Sequence, residues 1–133
     1  MTEQEIRTIL NRQREYFATG ATLSRKFRAE QLGKLKASLQ RHEEELNAAL
    51  QQDLGKSRME SYMCEIGLTL SELTWMQKHL RGLMQEKRVP TPLSQFAAIS
   101  FRSPSPYGTV LIMSPWNYPV LPVSYTHLTL PTT

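Results

Sequence analysis

The part of the sequence best suited to chemistry is a proline-bounded loop, Pro-Trp-Asn-Tyr-Pro, at residues 115–119. It closely follows a short, continuously apolar run at residues 109–113. In α/β proteins, ligands bind in loops at the carboxyl ends of such strands. Proline at both ends stiffens the loop, and the amide of Asn117 can donate to a developing oxyanion without titrating. The residues alone still favour a turn role for Asn117, because asparagine is common in proline-rich turns.

The other reactive side chains indicate no second site. Cys64 is the single cysteine, so an internal disulfide is excluded. It lies within a helical pattern, where cysteine is usually a small packing residue rather than a nucleophile. Trp75 and Met76 are interpreted as helix core, not as a cofactor site. No ligand spacing links Cys64 to a histidine, so no metal site is predicted. The histidines are His42, His79 and His127.

The elements that must position the loop fall into two regimes. Residues 1 to about 88 have helical apolar periodicity and contain no proline, whereas all eight prolines lie from Pro90 onward. Residues 96–102 are predicted to be extended, and residues 109–113 are predicted to form a strand buried on both faces of a parallel sheet. Such a strand needs neighbours on both sides, so the predicted fold is α/β with an incomplete core.

Three helices are predicted in the first regime. The first ends near Gly20, a glycine suited to a helix C-terminus. Ser24 caps the second helix, whose apolar pattern runs to Gly55. Ser57 caps a third, long helix, whose apolar stripe begins at Tyr62 and Met63 and keeps the helical period as far as Met84.

Composition excludes several classes of protein. The chain has 133 residues, 40% of them hydrophobic and 21% charged, as expected for one globular domain. The net charge is only +4, and the basic residues alternate with Glu and Gln along helices, which does not favour a nucleic-acid partner. No apolar run approaches the roughly 18 residues of a membrane span, and the acidic N-terminus is unlike a secretory signal. A cytoplasmic location is therefore predicted.

Residues 106–112 and 114–119 closely resemble the first cofactor-domain strand and following loop of aldehyde dehydrogenases. They look like the class 3 and fatty-aldehyde branch of that family. The upstream helices are similar too, including Phe27-Arg28 and the Asp-Leu-Gly-Lys sequence at residues 53–56. The resemblance covers residues 1–121 and implies N-terminal helices, an extended arm and the first strand of a Rossmann-like cofactor domain, truncated.

The resemblance also implies roles for individual residues. Asn117 matches the asparagine whose amide stabilises the thiohemiacetal oxygen. The arm near residues 96–102 matches a segment that takes part in dimer formation, so the parent protein is expected to be a homodimer. Four residues match the stretch that lines the nicotinamide half of NAD or NADP. They are Met113, Ser114, Pro115 and Trp116.

The implied reaction is oxidation of an aldehyde to a carboxylic acid. A cysteine thiolate attacks the aldehyde, a hydride passes to NAD or NADP, and water activated by a glutamate releases the acid. In the family, this cysteine and this glutamate lie well beyond position 133. The chain by itself is therefore expected to be inactive.

The end of the sequence departs from the family. After Asn-Tyr-Pro the family continues into an apolar helix, whereas residues 123–133 are rich in threonine. The string resembles the in-frame translation of a transposon-based sequencing adapter. We therefore expect native sequence over residues 1–121 and a non-native tail at residues 122–133.

Two other functions stay open. One is a helical binding module that uses residues 24–87 as its surface. The other is a dimer-capping fragment that pairs with an intact enzyme through residues 96–102. Both rank below a truncated dehydrogenase, since a continuously apolar strand without partners is an aggregation hazard.

Overall fold

The computed structural model describes residues 1–122 of the chain. Over these residues the fold is mostly helical, with one π-helical segment and a two-stranded sheet. The elements are α1 (Glu3–Ala18), α2 (Arg25–Arg41), α3 (Glu43–Leu54), α4 (Arg58–Ser61), the π segment (Tyr62–Ile66), α5 (Gly67–Leu83), β1 (Lys87–Val89) and β2 (Ser100–Arg102). Single 3₁₀ turns lie at Ala21–Leu23 and Leu93–Gln95. None of the helices in this part of the chain is both long enough and apolar enough to cross a membrane.

The predicted helix boundaries are confirmed where a side chain or a glycine sets them. The Ser24 hydroxyl accepts the N–H of Phe27 at the start of α2. The Ser57 hydroxyl likewise accepts a backbone N–H, at the start of α4. Gly20 and Gly55 have φ angles of 73° and 68°, a left-handed conformation that glycine adopts without a steric penalty.

The predicted second helix is two helices. It is interrupted at His42, which has φ −102° and separates α2 from α3. The continuous pattern as far as Gly55 was therefore a wrong prediction. Three glutamates, residues 43–45, fill the first turn of α3, where the partial positive charge of a helix N-terminus stabilises them. This charge pattern favours a new helix start at that point.

The core lies between α2 and α5. Leu73 and Met76 are buried and form its centre. Three partly buried leucines pack against them, Leu32, Leu39 and Leu83. The core interpretation is thus confirmed for Met76 but wrong for Trp75, which is 48% exposed and stacks on His79 with 4.2 Å between ring centroids. Neighbouring residues on a helix point about 100° apart, so the two side chains face different surroundings.

The extended segment after the helices forms a hairpin. Lys87 pairs with Arg102, and Val89 pairs with Ser100, in antiparallel register. The extended prediction for residues 96–102 is therefore confirmed at Ser100–Arg102. It is wrong at Phe96 and Ala97, which form a turn in which Ala97 has a φ of 78°. The helical regime ends earlier than predicted, at Leu83, and β1 follows it.

Residues 109–113 form no strand, which corrects the prediction of a doubly buried one. Leu111 and Met113 are each 83% exposed. Within residues 1–122 the sheet contains only β1 and β2, so no strand lies beside this segment. Backbone N–H and C=O groups of a buried strand must be paired with neighbouring strands, and without those neighbours the segment stays outside a sheet.

Candidate functional site

The proline-bounded loop closes on itself. The N–H of Tyr118 donates to the carbonyl oxygen of Pro115, 3.2 Å away. The hydroxyl of Ser114 lies 3.0 Å from the carbonyl oxygen of Tyr118 and 3.3 Å from that of Pro119. Ser114 therefore links the beginning of the loop to its end. The structure brings four of the five predicted site residues into one turn, namely Ser114, Pro115, Trp116 and Asn117.

Asn117 lies at the exposed tip of this turn. Its backbone carbonyl oxygen accepts a hydrogen bond of 2.8 Å from Nζ of Lys56. Within residues 1–122 its side-chain amide makes no hydrogen bond. The backbone of Asn117 is thus held, while its NH₂ group remains able to donate to a ligand.

Beneath the loop lies a buried ion pair. Lys56 Nζ is 2.5 Å from Oε1 of Glu65, and the two side chains are 9% and 0% exposed. Removing the two charges from water costs on the order of several kcal/mol for each ion. The close contact between the charges and their further hydrogen bonds must offset this cost. The further hydrogen bonds of this pair all go to the loop.

Each partner of the pair contacts the loop separately. Besides the Asn117 carbonyl, Lys56 Nζ lies 4.2 Å from the ring centroid of Tyr118, a cation–π geometry. The second carboxylate oxygen of Glu65 accepts the N–H of Val120 at 2.7 Å. The loop is therefore anchored at Asn117 and again three residues later.

The end of α3 positions Lys56. Gly55 takes its left-handed conformation directly after the helix, and the N–H of Lys56 donates to the carbonyl oxygen of Leu50 at 3.4 Å. This turn ends the helix, and Lys56 lies at the point where the chain leaves it. An L-residue with a side chain in place of Gly55 would strain the same turn.

The π segment positions Glu65. Its wider turn rotates the following residues relative to an ordinary helix, and Glu65 and Ile66 are both fully buried. Tyr62 and Met63, which the predicted apolar stripe placed in the core, are instead 47% and 60% exposed. The stripe prediction is wrong at this turn because it assumed 3.6 residues per turn throughout.

Sequence reasoning missed Lys56 and Glu65 as site residues. Two signals point to them in retrospect. One is a carboxylate at position 65 inside an apolar stripe, and the other is a lysine directly after the helix-ending Gly55. A charge inside an apolar stripe requires a partner, so Glu65 indicates an ion pair without revealing where the other charge lies. The position of Lys56 after a glycine does not by itself predict burial.

The remaining reactive residues form no second cluster in the described part of the chain. Cys64 is partly buried in the π segment. No three His, Cys, Asp or Glu side chains are grouped as a metal site within residues 1–122. His127 lies outside the described residues.

Comparison with known proteins identifies the family. Residues 1–128 match the model of the aldehyde dehydrogenase family, so the chain belongs to that family. It is 42% identical over 104 residues to the 4,4'-diaponeurosporen-aldehyde dehydrogenase of Staphylococcus aureus, covering 78% of this chain and 23% of that protein. It is 41% identical over 111 residues to human aldehyde dehydrogenase family 3 member B1, covering 84% and 24%. The predicted likeness to the class 3 branch is confirmed.

A solved structure has a similar fold over this part of the chain. The substrate-bound state of Staphylococcus aureus AldH superposes with a TM-score of 0.89 at 37% identity. The superposition covers 92% of this chain and 27% of that one. The likeness confirms the predicted fold class, with N-terminal helices followed by an extended arm. The chain spans about a quarter of the length of the curated relatives it matches.

Proposed function

We propose that this chain is the N-terminal part of an NAD- or NADP-dependent aldehyde dehydrogenase, which oxidises an aldehyde to a carboxylic acid. Membership of the family supports the reaction class. The observation that carries the proposal is the position of Asn117. Its amide has no partner within residues 1–122 and lies on a turn whose backbone is anchored to a buried ion pair.

The proposed role of Asn117 is to stabilise negative charge on the substrate oxygen. When a cysteine thiolate attacks the aldehyde carbon, the carbonyl oxygen gains charge and the thiohemiacetal forms. A neutral amide NH₂ held in a fixed direction stabilises that oxygen without a proton transfer. The anchored backbone lowers the reorganisation needed to reach this arrangement, which is what makes such a donor effective.

The proposed cofactor surface adjoins Asn117. Trp116 is 90% exposed and Met113 is 83% exposed, so two large apolar side chains lie uncovered within four residues of the Asn117 amide in the sequence. This combination fits a flat, amide-bearing ring such as nicotinamide. Ser114 and Pro115 shape the turn between them. When bound, NAD or NADP accepts the hydride, while these residues orient the ring.

We propose that the 133-residue chain alone is inactive. Its single cysteine, Cys64, lies in the π segment next to the fully buried Glu65, whose carboxylate is committed to Lys56 and Val120. Neither residue is placed to act as nucleophile or general base at the exposed turn. Those two groups would come from additional sequence of a longer protein.

The hairpin is the proposed oligomerisation arm of a homodimer. Its apolar side chains are uncovered, with Phe96 91%, Ile99 65% and Phe101 58% exposed. Several large apolar side chains exposed in one short segment are typical of an interface. The same exposure favours a second candidate function, a fragment that caps an intact homologue through this arm.

The tail at residues 122–133 is proposed to be non-native, and residues 123–133 lie outside the described part of the chain. The family match extends to residue 128, into this segment. Amplifying and sequencing the locus downstream of the codon for Leu121 tests the proposal. Genomic sequence that encodes the tail without an adapter would contradict it. A cytoplasmic location likewise remains a prediction, for cell fractionation to test.

The deciding experiment uses the complete protein encoded at the recovered locus. Aldehyde-dependent formation of NADH or NADPH is measured with the wild type, with Asn117→Ala and with Asn11→Ala. Asn11 is exposed on α1 and serves as the matched control. We expect Asn117→Ala to lower kcat by about 100- to 1,000-fold, the usual loss for an oxyanion donor, and Asn11→Ala to leave it unchanged. An inactive, folded wild type would contradict the proposed function.

A further inference from the structure

We propose that Lys56 and Glu65 are positioning residues that set the direction of the Asn117 amide. The inference rests on the proposed function of Asn117 and extends it to two side chains that do not touch the substrate. Besides bonding each other, Lys56 bonds the carbonyl of Asn117 and Glu65 bonds the N–H of Val120, and the inference follows from these two contacts.

One partner of the pair, Lys56, contacts Asn117 directly. Lys56 Nζ donates to the carbonyl oxygen of Asn117 over 2.8 Å. Fixing this carbonyl fixes the peptide plane that follows the Asn117 Cα. The direction in which the Asn117 side chain leaves the backbone is therefore coupled to the position of the Lys56 ammonium group.

The other partner, Glu65, contacts the backbone on the far side of the turn. Glu65 receives the Val120 N–H on Oε2 while Oε1 binds Lys56. The carboxylate thus spans the ammonium group and the backbone beyond the turn. Together the two charges hold the loop at both ends of the segment 117–120, and the Tyr118 ring lies over the ammonium group between them.

Both charged side chains are buried. Since Lys56 and Glu65 are 9% and 0% exposed, water does not compete strongly for these hydrogen bonds. A pair that only joined two helices could be replaced by apolar side chains at little cost. In this pair each partner also holds loop backbone, which apolar side chains cannot do.

The test uses the complete enzyme and a double-mutant cycle. Lys56→Met with Glu65→Leu removes both charges at once, so no charge is left buried alone. We expect kcat with hexanal to fall by about 10- to 100-fold, as for misplacement of a catalytic group, with little change in KM for the cofactor. In an Asn117→Ala background the same double substitution should cause no further fall, because its effect acts through Asn117.

A conservative variant and a control sharpen the result. Lys56→Met with Glu65→Gln keeps an acceptor for the Val120 N–H, so part of the lost kcat should return; it also serves if the leucine variant does not fold. Lys36→Met removes a part-buried lysine that bonds Thr74 between α2 and α5, and kcat should not change.

Two results would overturn the inference. One is a folded Lys56→Met, Glu65→Leu enzyme with wild-type kcat. The other is a loss of kcat that multiplies with that of Asn117→Ala, since independent effects add as free energies and therefore multiply as rate factors. Both leave an active wild-type enzyme, whereas failure of the proposed function appears as an inactive wild type, so the two failures are distinguishable.

Discussion

Glu65 accepts the backbone N–H of Val120 at 2.7 Å, although the two residues are 55 positions apart in the chain. The carboxylate belongs to the π segment and the N–H to the end of the proline-bounded loop. A local irregularity in one helix therefore determines where a distant loop is anchored. Any change that relaxes the π turn should weaken the anchoring of the loop, and any loss of Lys56 should leave the Glu65 carboxylate without its counter-charge.

Loss of Lys56 alone should destabilise the protein more than loss of the whole pair. Lys56→Met leaves the Glu65 carboxylate buried without its counter-charge, which costs about 3–5 kcal/mol. Adding Glu65→Leu removes that charge, so a large part of the stability should return. Thermal unfolding of the complete protein measures both variants. Equal melting temperatures for the single and double variants would show that the buried charge is not the main cost.

Gly67→Ala should destabilise the π segment. A Cβ at Gly67 would lie 2.8 Å from the carbonyl oxygen of Tyr62 and 2.9 Å from its ring, too close to fit without a backbone shift. Gly82→Ala in the same helix is the matched control, because a Cβ there meets nothing within 4 Å. The control should stabilise the protein by about 0.4–1 kcal/mol, since alanine restricts the unfolded chain more than glycine does.

The stability of the Gly67→Ala variant is compared with that of the Gly82→Ala control. Chemical denaturation is followed for both variants, and a second readout is amide hydrogen exchange at Val120, whose bond to Glu65 depends on the π turn. Gly67→Ala should lower stability and speed this exchange. If it raised stability as Gly82→Ala does, the close contact with Tyr62 would not govern the turn.

Local signals made the helix ends predictable. Ser24, Ser57 and Gly55 act through hydrogen bonds or backbone angles within a few residues of themselves, so the sequence around them contains the whole cause. The Lys56–Glu65 pair and its contacts with the loop were not predictable in this way. They depend on a single extra residue in one helical turn and on contacts across 61 positions, which apolar periodicity does not encode.

At residues 109–113 the local sequence predicts a strand that does not form. Its composition is that of a buried strand, and Ile112 is indeed partly buried while Leu111 is 83% exposed. Whether such a segment becomes a strand depends on partners, and composition does not contain them. Family resemblance supplied the proposed role of Asn117, because an asparagine in a proline-rich loop is by itself only a turn signal.

Ser57→Ala should weaken the start of the helix that carries Glu65. The Ser57 hydroxyl accepts the N–H of Glu60, and removing such a cap costs about 1 kcal/mol. Ser71→Ala, an exposed serine inside α5, is the control and should be neutral or slightly stabilising because alanine is the better helix former. Denaturant midpoints compare the two. A neutral Ser57→Ala would mean that another group satisfies the Glu60 N–H.

Phe96→Glu should disrupt the proposed homodimer of the complete protein and leave it monomeric. Phe96 is 91% exposed on the hairpin, and a carboxylate within an apolar interface would be left without a counter-charge. Met59→Glu is the matched control, because Met59 is also exposed, at 72%, but lies on α4 outside the arm. Sedimentation velocity gives the mass of each species. A dimeric Phe96→Glu protein would remove the hairpin from the interface, whereas a monomeric Met59→Glu protein would move the interface to the helices.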